Sequence, residues 1–420
     1  MQRVSRIQLL LVVIIALLIG YYFGINKINF DWKNYRAEIT VAGKAPPSNI
    51  SSNADFSQFW LVWEKLESSY YDKTKLDPQK MLNGAISGMV GSLDDPFTVY
   101  LPPVQNDNFK QGLAGQFQGI GAELGLKDKQ IIVISPLKGS PAIKAGVRAG
   151  DAILEVDGNP TSSWTLSQAV EKIRGPKGTP VALTILSRDQ KTAKEIKIIR
   201  DVITVKSVDA WVKKVKDIEG VKLNKALNEE KVAYISLSQF GDNTNSEWLS
   251  AINQLNLDIN KEKNVKGAIF DLRNNPGGYL TDAVFIASEF LKEGSDVVIQ
   301  EENGEQEVLR SNRKGLLTDI PVIILINKGS ASASEIVAGA LRDNGRATLV
   351  GETSFGKGTI QQAEDLGGGA GLHVTIAKWL TPNKTWVNGK GLEPDITVVL
   401  NSKEPDRDTQ LEKAIQELVK

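Results

Sequence analysis

Two different periods meet near Val202, and that change constrains the fold of this chain more than any other feature. Downstream, short apolar runs alternate with helical stretches. Val232–Leu237 reads as a strand, Thr244–Leu255 as a helix, and Val265–Leu272 as a buried strand running into Arg273-Asn-Asn-Pro-Gly-Gly278. Leu280–Leu291 follows as a helix, then the strand Val322–Ile326, a helix Ala333–Arg342, and the strands Ala347–Val350 and Leu372–Trp379. Thr409–Val419 closes the chain as an amphipathic helix. Such alternation predicts an α/β assembly. Upstream, from Gly115 to Val202, strands are separated by glycine turns instead. Phe117-Gln-Gly-Ile-Gly-Ala-Glu-Leu124 leads into the strand Ile131–Ile134, and Ser140-Pro-Ala-Ile-Lys-Ala-Gly146 reads as a short helix. Ala149-Gly-Asp-Ala-Ile-Leu-Glu-Val-Asp-Gly158 is a strand ending in a turn, followed by a helix at Leu166–Arg174 and a strand at Pro180–Leu186.

The N-terminal third has a third character. Arg3 and Arg6 precede an uncharged apolar run, Leu9 to Ile25, whose 17 residues end in the aromatic group Tyr21, Tyr22 and Phe23. That length sits at the short end of the about 17–25 residues a spanning helix needs. A basic N-terminal flank and an aromatic far edge predict an N-in, C-out anchor. The rivals are a cleaved signal segment, which lacks an A-x-A-like site here, and a buried core helix. Residues 26–55, with Pro46-Pro47-Ser48 and Ser51-Ser52-Asn53, read as a polar tether. Phe56, Phe59, Trp60, Trp63, Leu66 and Tyr70 then recur at helical spacing, as core or as a packing face for a neighbouring copy in a homo-oligomer. A second helix is expected over Pro78–Val90, ended by Asp94-Asp95-Pro96. Across all 420 residues, 50 basic side chains balance 50 acidic ones, so nothing indicates a nucleic-acid partner.

The chemistry is narrowed by what is missing. With no cysteine and one histidine, a Cys-His site is impossible and a Ser-His-Asp triad would have to use His373. That residue alternates with Val374 and Ile376 in a strand pattern and reads as structural. A serine hydroxyl needs an adjacent base, and a lysine serves if burial lowers its pKa. Gly329-Ser-Ala-Ser-Ala-Ser-Glu-Ile336 and Gly351-Glu-Thr-Ser-Phe-Gly-Lys-Gly358 supply both residue types. Three serines compete in the first stretch. Ser332 falls where a strand-to-helix turn would present its hydroxyl and the next backbone N–H to a substrate, although serines also cap helices routinely. Lys357 lies between glycines that permit close backbone approach. An ordinary lysine is neutral in only about one molecule in a few thousand at pH 7, and lowering its pKa by about three units takes roughly 4 kcal/mol. The base must therefore be substantially buried. Gln361, further along the same expected loop, is a candidate acceptor for the amine. The N–H groups of Asn275-Pro-Gly-Gly278 either join that of Ala333 in an oxyanion hole or simply form a turn. Two near matches fail. Gly351-x-x-x-x-Gly356-Lys357 has Gly358 where a P-loop carries Ser or Thr, and Ser354-Phe-Gly-Lys357 lacks the downstream motifs of penicillin-recognising enzymes. No cofactor and no metal ligand set is expected.

The segment 115–202 resembles a PDZ domain, with Gly119-Ile-Gly121 where that family binds a terminal carboxylate. Converging backbone N–H groups and a free strand edge suit an incoming peptide tail. From about Phe56 onward the chain resembles the carboxyl-terminal processing, or tail-specific, proteases. The most specific stretch is Gly-Ser-Ala-Ser-Ala-Ser-Glu-Ile-Val-Ala-Gly-Ala-Leu-Arg-Asp, followed by Val-Gly-Glu-Thr-Ser-Phe-Gly-Lys-Gly-Thr-Ile-Gln. The resemblance implies an α/β catalytic core with an inserted PDZ domain, cleaving proteins near their C-termini. It implies Ser332 as nucleophile, Lys357 as general base 25 positions later (357 − 332), and Gln361 as the third member. Gly278 and Ala333 would supply oxyanion-hole amides, and Gly119, Ile120 and Gly121 the tail-binding loop. Arg188, at the end of the last strong strand of the PDZ segment, is a candidate contact to the catalytic part or a solvated turn residue. The expected division is 1–30 anchor or signal segment, 31–55 tether, 56–114 N-terminal helical region, 115–202 PDZ domain and 203–420 catalytic domain. The catalytic part is expected outside the cytoplasm, acting on proteins with exposed C-terminal tails. A non-catalytic PDZ scaffold is the competing reading.

Overall fold

A computed structural model describes residues 14–15, 17, 28–33, 36–41, 55–127, 130–137, 139–187, 190, 192–262, 264–400, 404 and 406–420. Most of the expected anchor, and Arg188, lie outside them. Among the described residues no helix is long and apolar enough to cross a membrane. The chain divides into two units, Met1–Leu82 and Asn83–Lys420.

In the first unit, Ile28–Lys33 and Arg36–Val41 form an antiparallel hairpin, pairing Ile28 with Val41 and Lys33 with Arg36. This corrects the tether reading of that stretch. Ile28, Phe30 and Trp32 alternate with polar residues, a strand period hidden in a segment chosen for its prolines and serines. The helix Ser57–Ser69 carries the aromatic stripe, and none of its residues is buried. Trp60 is 62% exposed and Phe56 55%, so among the described residues the stripe is not buried.

In the second unit, the strand-and-glycine segment forms a sheet ordered Lys194–Ile199, Pro180–Leu186, Ala152–Val156, Gln130–Pro136, Ala122–Lys127. Among the described residues, Ala122–Lys127 is an edge strand with no second neighbour in that sheet. The helix Leu166–Ile173 packs over a core that includes Ile131, Val133, Ile153, Ala169 and Leu183. The lead-in strand Gln116–Gly119 pairs separately with Asp201–Thr204.

The strand–helix region builds a sheet in which Val208–Lys214 runs antiparallel to Lys231–Leu237, and Val265–Asp271, Val322–Ile326, Ala347–Gly351 and Ile396–Thr397 continue it in parallel. All five residues of Val322–Ile326 are buried, as a central strand covered on both faces demands. Each such side chain contributes about 1.5–3 kcal/mol relative to exposure. Trp248, Phe270 and Phe290 pack on one another beneath it, the two phenylalanine rings 5.3 Å apart.

A further antiparallel sheet holds Glu305–Arg310, Asp296–Glu302, Ala370–Leu380 and Thr359–Gly367. The stretch after Lys357 is thus a strand, not a loop. Gly367, Gly368 and Gly369, with φ of 81°, 59° and 84°, turn it into the next strand. The short strand Val99–Leu101 joins this sheet beside Ala370–Leu380, with Val99 opposite His373. Residues expected in an N-terminal helical region therefore become part of the sheet that carries the lysine loop.

Candidate active site

Three neighbouring parallel strands, Val265–Asp271, Val322–Ile326 and Ala347–Gly351, end on the same side of their sheet. Loops at the carboxyl ends of parallel strands are where such sheets place ligands. The three loops here carry the glycine run, the serine cluster and the lysine. Asn274 and Asn327 exchange side-chain and backbone hydrogen bonds at 2.9 Å, and the Ala331 N–H donates to the Asn275 carbonyl, so the first two loops are held as one.

The three competing serines separate by burial. Ser330 and Ser334 are fully buried, and each hydroxyl donates to a backbone carbonyl, of Leu272 and Asn275 respectively. Ser332 is half-buried and lines a cavity of about 460 Å³. It stands at the N-cap position of the helix Ala333–Asp343 with φ +55° and ψ −116°, a strained conformation for a residue with a side chain. Glycine relieves the crowding opposite: a Cβ at Gly277 would lie 2.7 Å from the Ala331 carbonyl and 2.9 Å from the Ala333 nitrogen. Gly278 has φ +146°, and a Cβ there would fall on the Phe240 carbonyl. Among the described residues, neither the Gly278 nor the Ala333 N–H donates a hydrogen bond.

Lys357 lines the same cavity, as do Gly278, Ala333 and Gln361. Its ammonium lies 5.0 Å from the Phe97 ring centroid. Burial holds its pKa below the ordinary lysine range, against the opposing charges of Asp95 and Glu335. Its loop is tied at nearly every backbone group. Trp379 and Trp386 donate indole N–H groups to the Lys357 and Gly358 carbonyls, and the Gly358 N–H donates to Asn388. Gly356, with φ +89°, leaves no room for a Cβ, which would sit 2.7 Å from the Gly391 nitrogen.

Glu335, which the sequence reading left without a role, joins serine and lysine loops. It is fully buried. One carboxylate oxygen accepts from the Ser332 and Lys357 N–H groups at 2.8 and 2.9 Å, the other from the Ser354 hydroxyl and the Gly356 N–H. Gln361 donates both amide hydrogens to hydroxyls, at 2.9 Å to Thr359 and 3.0 Å to Thr375. His373, read as structural, also lines the cavity, its ring edge-on to Phe109 at 4.4 Å. Burial first, then the Lys357 charge, lowers its pKa. Val99, Leu101, Phe109 and Leu113, all upstream of the PDZ segment, complete the apolar wall.

Gly119, Ile120 and Gly121 line a second cavity of about 400 Å³, walled by Leu124, Val170 and Ile173. Gly121 has φ +72°, and a Cβ there would come within 2.5 Å of Ser140. The cation at this groove is Arg174, stacked 4.5 Å over Phe117, a residue the sequence reading did not single out.

Known proteins resemble this chain in sequence and fold. The family description "Peptidase family S41" matches residues 231–398, "PDZ domain" matches 110–186, and "Activating protease CtpB N-terminal domain" matches 14–103. The carboxy-terminal processing protease CtpB of Bacillus subtilis (strain 168) is 36% identical over 391 residues, covering 92% of this chain and 75% of that one. CtpA of the same organism is 35% identical over 354 residues, covering 84% and 71%. Among solved structures, the photosystem II D1 C-terminal processing protease superposes with a TM-score of 0.51 at 28% identity, covering 86% of this chain and 96% of that one. On these matches, the chain belongs to peptidase family S41, as a serine peptidase of the carboxy-terminal processing group that carries a PDZ domain.

Proposed function

We infer that this peptidase cleaves proteins near their C-termini through an acyl-enzyme formed on Ser332, with Lys357 as the proton carrier. One observation carries the reading: of the three clustered serines only Ser332 faces the cavity that Lys357 also lines, while its two neighbours are committed to backbone carbonyls. The neutral Lys357 amine takes the hydroxyl proton as Ser332 Oγ attacks the scissile carbonyl carbon. The oxyanion of the tetrahedral adduct accepts from the uncommitted N–H groups of Gly278 and Ala333. Collapse breaks the C–N bond, and the lysine ammonium passes its proton to the leaving amine. Water then attacks the ester, returning its proton through Lys357 and freeing Ser332. Incubation with an unstructured polypeptide ending in apolar residues tests this. The wild type shortens it, and equal cleavage by Ser332→Ala would overturn the assignment.

The PDZ groove receives the substrate's tail in this reading. The terminal carboxylate docks at Gly119–Gly121, with Arg174 supplying positive charge, and the preceding residues add a strand to the free edge Ala122–Lys127. Amidating the substrate's C-terminus removes the charge and one charge-assisted hydrogen bond. We expect kcat/KM to fall roughly 10–100-fold with the scissile sequence unchanged. Equal cleavage of amidated and free-acid substrates removes carboxylate recognition and leaves the serine chemistry untouched.

The apolar run at 9–25, flanked by Arg3 and Arg6, supports a retained anchor with the catalytic part outside the cytoplasm. Alkaline carbonate extraction should leave the full-length protein in the membrane pellet. Release of the intact chain into the soluble fraction contradicts that placement.

A further inference from the structure

The Gly278 N–H can receive an oxyanion only if its peptide plane is held at the right angle, and what holds that plane lies outside the cavity. Phe240 and Gly278 form a parallel bridge apart from the sheets described above. The Phe240 N–H donates to the Gly277 carbonyl at 3.0 Å, and the Tyr279 N–H donates to the Phe240 carbonyl at 3.1 Å. In a trans peptide the carbonyl and the N–H point in opposite directions. Holding the Gly277 carbonyl against Phe240 therefore turns the Gly278 N–H away from it. The backbone of one residue, Phe240, sets the orientation of the oxyanion donor.

Phe240 lies in the connection between the strand Lys231–Leu237 and the helix Thr244–Lys261. Thr244, the first residue of that helix, is fully buried and bridges the connection from both sides. Its hydroxyl accepts the Gly241 N–H at 2.9 Å and faces the Gln239 carbonyl as a donor at 3.1 Å. These backbone groups belong to the residues immediately before and after Phe240. Ser207 Oγ, also at 3.1 Å, shares the Thr244 proton. The N–H and hydroxyl of Ser207 donate to the Glu247 carboxylate at 2.6 and 2.9 Å. Ser207 thus meets Thr244 as an acceptor, and the Thr244 oxygen keeps a lone pair for Gly241.

We propose that Thr244 is a positioning residue for the peptidase reaction: by bridging the backbone on both sides of Phe240, it fixes the angle at which the Gly278 N–H meets the oxyanion. Thr244 itself does not line the cavity. The inference rests on the Ser332/Lys357 reading and its oxyanion hole. Without the hydroxyl, Gln239 and Gly241 lose their link, and Phe240 can rotate together with the Gly277–Gly278 peptide bonded to it. The loop as a whole stays in place. The Tyr279 hydroxyl still donates to Asp242 at 2.9 Å, and the Asn275 side chain still donates to the Leu237 carbonyl at 2.8 Å. A donor turned off line weakens binding of the transition state and leaves ground-state binding alone.

Thr244→Val keeps the volume and removes both bonds. We expect its kcat for peptide cleavage to fall about 10–100-fold with KM unchanged, less than the roughly 10²–10³-fold cost of deleting a donor outright. A peptide aldehyde of the substrate's sequence, which takes up Ser332 Oγ at its carbonyl carbon and leaves its oxygen in the same hole, should bind more weakly by the same factor. Thr244→Ser keeps the hydroxyl and should restore most of the kcat. Ser311→Ala is the control. It removes a comparable pair away from the cavity, a donor to the Lys292 carbonyl and an acceptor of the Ser295 N–H, and should keep the wild-type kcat. Several results would overturn the proposal: a wild-type kcat in Thr244→Val, a loss carried by KM, an unchanged aldehyde affinity, no recovery in Thr244→Ser, or an equal loss in Ser311→Ala. Where Thr244→Val does not fold, Thr244→Cys, whose thiol is a weak donor and acceptor, decides it by the same kcat and aldehyde measurements. Ser332→Ala runs alongside: if it cleaves like the wild type, the dyad itself has failed, whereas an inert Ser332→Ala beside a fully active Thr244→Val sinks only the role of Thr244.

Discussion

Ser332→Ala should lower kcat by on the order of 10⁴-fold or more while the protein still folds and still binds a substrate tail. The two effects are separable because the PDZ groove and the catalytic cavity share no lining residue. Lys357→Arg should come close to it, with a loss of about 10²–10⁴-fold, the usual contribution of a general base. A guanidinium stays protonated throughout the working range and cannot take the serine proton, although it keeps the charge. The wild-type rate should rise with pH through the Lys357 pKa. Burial has lowered that pKa, so the limb lies below the range of a solvated lysine. His373 lines the same cavity and titrates lower still than an ordinary imidazole, which makes it the one competitor for the role. A rate limb that survives in Lys357→Arg and disappears in His373→Ala would transfer the base to the histidine.

What could be read from the sequence follows the range over which each signal acts. The central strands announced themselves as unbroken apolar runs, since a parallel strand is buried on both faces. Val322–Ile326 was legible to the residue. The glycines beside Lys357 were legible as close approaches, and the structure shows what they approach: Gly391 for one and Trp386 for the other. Gln361 was legible as a candidate acceptor and, through the family resemblance, as a third member, but its strand was not, because the stretch after Lys357 reads as one continuous loop. The upstream wall of the cavity was not legible at all. Val99–Leu101 spans three residues, too few for any period, and its partner lies beyond the whole PDZ segment. Asn106 shows the same distance: its side chain donates to the Gly369 carbonyl, 263 positions away. Glu335 was hidden for another reason. A glutamate three residues into a helix after a serine is the ordinary mark of a helix start, and nothing local says that it also reaches across to the lysine loop.

That reach makes Glu335 the second position where a single change should have a large effect. Glu335→Ala removes the acceptor of four donors at once: the N–H groups of Ser332, Gly356 and Lys357, and the Ser354 hydroxyl. The side chain is fully buried, so water cannot replace it without opening the site. Each stranded donor costs about 1–3 kcal/mol, and the four share one group, so we expect a total of about 3–5 kcal/mol in a denaturant titration. Glu335→Gln keeps the shape and half of the acceptors. Its NH2 group is best placed on the side of Ser354, whose hydroxyl can turn to accept, leaving the carbonyl oxygen for Ser332 and Lys357. The Gly356 N–H then lacks a partner, and the Ser354 hydroxyl, which already accepts the Leu392 N–H, loses the acceptor of its own proton, so the loss of stability should be about 2–4 kcal/mol. The glutamine also removes a negative charge that favours the lysine ammonium, so the rising limb of its pH–rate profile should move to lower pH even as the rate falls. An alanine variant as stable as the wild type would mean that the serine and lysine loops hold their places without the carboxylate. The alternative supports would then be the Phe355-to-Ser330 backbone bond and the two tryptophan donors. A glutamine limb shifted to higher pH would show instead that Glu335 acts by keeping water from Lys357 more than by its charge.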